Sequence, residues 1–82
     1  MGMAGFTDDE LMVIGLRVNS IKQPQIAKLL GWPRRKVNDV MWDVYRKTGT
    51  DCVGALTRWA IYFGLDEMPE LPSEKAQLQL DL

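Results

Sequence analysis

Histidine is absent from this chain, and cysteine occurs once, at Cys52. A single thiol forms no internal disulfide, and one cysteine without an imidazole leaves no credible zinc set. The chain also lacks a glycine-rich phosphate loop, a His-based proton relay and paired carboxylates at a credible catalytic position. Catalysis needs such a positioned acid, base, nucleophile or metal, so an enzyme is not expected, and no cofactor or metal is implied. Glu10 beside Asp9 fits a helix cap better than a catalytic pair. No apolar run reaches the length of a membrane span. The opening MGMAGFTDDE has neither the basic region nor the long apolar stretch of a secretory leader. The expected location is cytoplasmic, away from membranes. Eighty-two residues hold one domain at most, and no small-molecule-binding or receiver unit is expected beside it.

What the chain does contain is a foldable pattern with divided charge. Hydrophobic residues make up 46% and recur at helical spacing, which argues against disorder. So short a chain has a thin core, which dimerisation or well-formed helices often supplement. The net charge of −1 hides a partition. From Arg17 to Arg58, nine bases stand against three acids, a net +6. Residues 1 to 16 carry −3, and residues 59 to 82 carry −4. A basic middle between acidic ends fits a nucleic-acid face of blunted affinity, although small domains also segregate charge by chance.

The stretch from Ile26 to Gly49 organises the rest. Ile26, Ala27, Leu29 and Leu30 close a short apolar helix, Gly31-Trp32-Pro33 breaks it, and a longer helix with a basic first turn runs to Gly49. Short helix, tight turn, long helix is the outline of a helix-turn-helix, whose second helix lies in the DNA major groove. At about 100° per residue, Val37, Val40, Met41, Val44 and Thr48 share the inward face. Arg35, Asp39, Trp42 and Arg46 form the opposite ridge, flanked by Lys36, Asn38 and Asp43. Arg34, Arg35, Lys36 and Asn38 suit DNA: Arg pairs with guanine, Asn with adenine, and Lys neutralises phosphate. A solvated face is the competing explanation. Arg35–Asp39 and Asp43–Lys47 stand four residues apart and can pair, and two acids on this face repel phosphate. Arg46 and Lys47 fall in the last turn, where cations suit the helix dipole.

Four helices are expected, at about residues 8–18, 24–30, 34–48 and 52–64, giving an all-α domain followed by an acidic tail. Residues 1–5 should be loose. Thr7 and Glu10 form a capping box. Leu11, Ile14 and Val18 line one face of the first helix, and Met12, Val13 and Leu16 make the rest apolar, so contact on more than one side is expected. Lys22, Gln23 and Gln25 stand at the start of the second helix, where a helix-turn-helix meets the DNA backbone; simple capping explains each singly. Thr50 and Asp51 are candidate caps for the last helix. Its inward residues are Val53, Leu56, Ala60 and Phe63, with Trp59 and Phe63 assigned to the core. Ala55, Arg58 and Tyr62 face outward as a dimer or partner surface. Trp42 also points outward. A protein partner or a folded-back tail is favoured for it over DNA, because base-stacking aromatics are mainly a single-strand device. Residues 66–82 read as a flexible or packed-back tail. Its final Gln79-Leu80-Asp81-Leu82 weakly resembles the short peptide by which bacterial proteins dock on the replication sliding clamp, without that motif's final Phe.

From Phe6 to about Leu65, the residues resemble the LuxR/GerE-type DNA-binding domain, in register and without gaps. Phe6-Thr7, Glu10 and Val13 sit like that family's opening Leu-Thr…Glu…Val. Ile26-Ala27 and Leu30 match its Ile-Ala-x-x-Leu, and Val37 the Val of its Thr-Val-Lys. Lys47 and Gly49 match its Lys-Leu-Gly, with Thr48 in place of Leu; Leu56 and Ala60 match apolar positions of its last helix. The resemblance implies a four-helix domain with the third helix in the major groove and a last helix that often forms a two-fold dimer contact. It implies DNA-facing roles for Arg34, Arg35, Lys36, Asn38 and Asp39, with Lys47 near phosphate. The chain departs from the pattern at Pro33 (usually Ser), at Lys36, Asn38 and Val40 (usually Thr, Lys and often His), and at Ser20 (usually Gly). The scaffold therefore carries over better than a sequence preference.

Two functions follow as expectations. The first is a double-stranded DNA-binding transcription regulator, bacterial or phage, acting as a homodimer through helix 52–64. The second keeps the helix-turn-helix scaffold but turns it toward a protein, such as polymerase or another regulator, through Trp42 or the tail. A fold alone does not choose between them.

Overall fold

The first helix, α1 (Asp8–Val18), begins at a reciprocal cap. The Glu10 amide donates to Thr7 Oγ1 (3.1 Å), and the Thr7 amide donates back to Glu10 Oε1 (2.8 Å). The computed structural model describes residues 5–71; residues 1–4 and 72–82 lie outside them, and with them the sliding-clamp-like Gln79–Leu82 run. Three more helices follow: α2 (Gln23–Leu30), α3 (Arg34–Thr48) and α4 (Val53–Phe63). The domain is therefore all-α, and its helix bounds fall within one residue of those expected from spacing and breakers. No helix among the described residues is long and apolar enough to cross a membrane.

The break between α2 and α3 is made by Gly31, which takes a left-handed φ of 69°, and by Pro33, which precedes α3 as its cap. A side chain at Gly31 would be strained in that conformation. Ser20 has the same left-handed backbone (φ 73°) without being glycine. It stands where the LuxR/GerE pattern usually has Gly. Ser20→Gly is expected to raise stability by about 0.5–1 kcal/mol, because relief of the left-handed strain outweighs the added chain entropy. Urea denaturation measures this.

Packing is organised by α1, which touches the other three helices. Val13, Ile14 and Leu16 are fully buried with Ile26, Val37, Val44, Leu56 and Ala60, and Met41 nearly so. Ile14 is thus core as expected, but Leu11 and Val18 are only partly buried, while Val13 and Leu16 are inside. The cause is the contact on several sides that the apolar girdle of α1 implies.

Two expectations are corrected. Neither Thr50 nor Asp51 caps α4; Cys52 does, without a side-chain bond, and Thr50 Oγ1 instead shares a 2.7 Å hydrogen bond with Thr48 Oγ1. Phe63 is not core but 46% exposed, because Leu65, just past the Gly64 turn, packs against the core. Phe63 is left outside, tilted at 45° against Trp59 and edge-on to Tyr62, with ring centroids 4.9 Å apart in each pair. At the N-terminal edge of the described residues, the Gly5 carbonyl accepts a 2.6 Å hydrogen bond from Lys47 Nζ.

The described part of the tail packs back as a strap. Asn19 Nδ2, at the end of α1, donates to the Gly15 carbonyl (2.7 Å) and the Asp66 carbonyl (3.0 Å). Leu65 and Leu71 lie against the core. The strap fits because Gly15 has no side chain: a Cβ there would lie 2.7 Å from Pro69 Cδ and 2.9 Å from the Glu67 carbonyl oxygen. Gly15→Ala should therefore leave α1 helical, with a propensity gain of about 1 kcal/mol, but lift the strap. Faster amide exchange and proteolysis confined to residues 65–71 are the expected signs; unchanged protection there would mean that the strap absorbs the methyl.

Candidate nucleic-acid interface

Burial of Val37, Met41 and Val44 fixes which way α3 faces. The opposite ridge (Arg35, Asn38, Asp39, Trp42 and Arg46) is exposed, as the periodicity predicts. Trp42 is 69% exposed in the middle of it. Arg34 on the first turn of α3, and Lys22 and Gln25 around the start of α2, are also exposed.

The basic residues divide into two groups. Lys36 pairs with Asp9 at 3.4 Å and lies over the Trp32 ring at 4.1 Å, tying the start of α3 to α1 and to the turn. Arg46 pairs with Asp43. Lys47 donates to Glu10 Oε1 at 2.8 Å and sits 5.6 Å from the Phe6 ring. By contrast, Lys22, Lys28, Arg34 and Arg35 have no carboxylate in ion-pair range among the described residues. The anticipated Arg35–Asp39 and Asp43–Lys47 pairs do not form. Glu10 is only 4% exposed, so its carboxylate gains more from Lys47 than the more exposed Asp43 would.

This engagement changes the standing of Lys47. Its ammonium is tied to the Glu10 carboxylate and the Gly5 carbonyl while the side chain stays 39% exposed, a different task from the phosphate contact implied by the family pattern. Burial is the strongest influence on the Glu10 carboxyl and pushes its pKa up. The bond from Lys47, the Thr7 amide and the Lys47 charge together outweigh burial and a weak opposing effect of Asp43, so Glu10 titrates below the ordinary carboxylate value.

A groove of about 590 Å³ runs beside the ridge, lined by Gln23, Asn38, Met41, Trp42, Tyr45, Arg46, Thr50 and Asp51. It brings the start of α2, the outer side of α3 and the following loop together. Burial raises the pKa of the Tyr45 phenol there, the strongest of its influences. Sequence spacing did not single out Tyr45 or the loop pair Thr50 and Asp51 as groove residues, because their place depends on how α2 crosses α3. Lys28 was also missed as a surface base; a lone lysine among the apolar residues of α2, three after exposed Gln25, was the available signal.

The outward face of α4 is more apolar than spacing indicated. Tyr62 is 82% exposed, and Ile61 and Phe63 join it. Arg58 is exposed, whereas Ala55 is half-buried. Trp59 is half-buried against Phe6, with ring centroids 5.6 Å apart. No protein-family model matches the chain, and no curated protein or solved structure matches it either.

Proposed function

We propose that the domain binds double-stranded DNA as a transcription regulator, laying α3 in the major groove with the start of α2 against the phosphate backbone. The observation that supports this most is the location of the unpaired bases. Arg34 and Arg35 open the exposed side of α3, Lys22 immediately precedes the adjoining α2 and Lys28 lies on it, all without carboxylate partners among the described residues. Phosphate contacts from these groups supply affinity, and Arg35, Asn38 and Asp39 face base edges. The in-register resemblance to LuxR/GerE-type domains supports the same docking. On this reading a second copy meets the apolar face of α4 at Arg58, Ile61, Tyr62 and Phe63, giving two reading helices.

Exposed Trp42 beside its groove favours a second reading, in which the same scaffold binds a protein such as polymerase. Titration of labelled mixed-sequence duplex separates the two. DNA binding predicts saturable association at low salt, weakening steeply as salt rises. No association by the folded protein at low salt would transfer the α3 ridge to the protein-binding reading.

A further inference from the structure

Resting on the duplex-binding reading, the geometry points to a specific task for Trp42. Asn38 and Trp42 stand one turn apart on the exposed ridge and line the same groove. Arg35 and Arg46 lie along that ridge on either side. A docked α3 cannot present Asn38 to base edges and withhold the larger side chain beside it. Within an intact duplex, bases are stacked, so an indole entering the major groove meets edges and not faces. The apolar group on those edges is the thymine C5-methyl. Asn38 has the amide that pairs with adenine at N6 and N7. Four residues of helix advance about 6 Å, somewhat under two base-pair rises of about 3.4 Å. We propose that Trp42 reads a thymine methyl about two base pairs from the adenine that Asn38 contacts. Trp42 thereby determines specificity by apolar contact and does not stack on a base.

The test uses the full chain and a duplex site selected from a random pool. Each thymine of the site is replaced in turn by deoxyuridine, which removes only the methyl. The expected result is one position per half-site at which wild-type affinity falls roughly fourfold, the worth of about one buried methylene. Trp42→Ala should bind the thymine site roughly tenfold more weakly and show no difference between thymine and uracil there. Trp42→Phe should restore part of the methyl dependence. A wild-type protein indifferent to every thymine-to-uracil change, or a site without thymine, would overturn the role of Trp42 and leave duplex binding intact. Methyl dependence persisting unchanged in Trp42→Ala would do the same. Failure to retain any duplex would overturn both this role and the duplex reading. The wild-type comparison needs no variant, so it stands even if a substitution disturbs folding.

Discussion

Removing Arg34 and Arg35 together by alanine substitution is expected to weaken duplex binding by about 2–4 kcal/mol, roughly thirtyfold to a thousandfold. Both side chains are exposed and free of carboxylate partners among the described residues, so the double variant should fold as the wild type does. The two single variants should differ in kind. Arg35→Ala removes a base-edge contact and should cost about 1–3 kcal/mol on the selected site with a smaller effect on scrambled duplex. Arg34→Ala, at the start of α3, should lower both affinities alike and reduce the salt slope by about 0.9, the share of one neutralised phosphate. Fluorescence anisotropy at two salt concentrations distinguishes these patterns. A folded double variant that binds as tightly as wild type would remove the first turn of α3 from the interface.

Lys47→Ala should act on folding instead of binding, and its cost should be about 1–3 kcal/mol, because a nearly buried carboxylate loses its ionic partner. Glu10 is 4% exposed; its remaining acceptor contact is the Thr7 amide. The effect depends on pH with a defined sign. The folded pKa of Glu10 is lowered, so its contribution to stability is complete above the unfolded carboxylate pKa and disappears as pH falls through the folded value. The gap between wild type and Lys47→Ala should therefore be widest near neutrality and close under acid. Glu10→Gln, which keeps an acceptor for the Thr7 amide, should show the same convergence. Urea denaturation across pH measures both. Equal stability of wild type and Lys47→Ala at neutral pH, with weaker DNA binding, would return Lys47 to the phosphate role of the family pattern.

The ends of the helices were legible because local chemistry sets them. Thr7 and Glu10 cap α1, Gly31 and Pro33 make the turn, and Gly49 closes α3 within the same few residues that announce them. The direction of α3 was legible for the same reason, since Val37, Met41 and Val44 repeat at helical spacing. What stayed hidden depends on contacts distant in sequence. Lys47 had a local candidate partner in Asp43, and nothing in the spacing revealed that Glu10, 37 residues away, would be buried beside it. Nothing local to Gly15 reveals that the strap crosses it at Pro69. Phe63 fitted the inward face of α4 by period, but the Gly64 turn brings Leu65 to the core. In the candidate interface, the exposed residues were readable one by one. Which bases remain unpaired was not, because ion pairing is decided by α1 as much as by α3.

If the α3 ridge reads duplex DNA, selection from a random duplex pool at low and moderate salt should enrich a two-fold symmetric site, with affinity falling as salt rises. No retained duplex at low salt, from protein shown by circular dichroism to be helical, would contradict that reading and turn attention to a protein partner for Trp42.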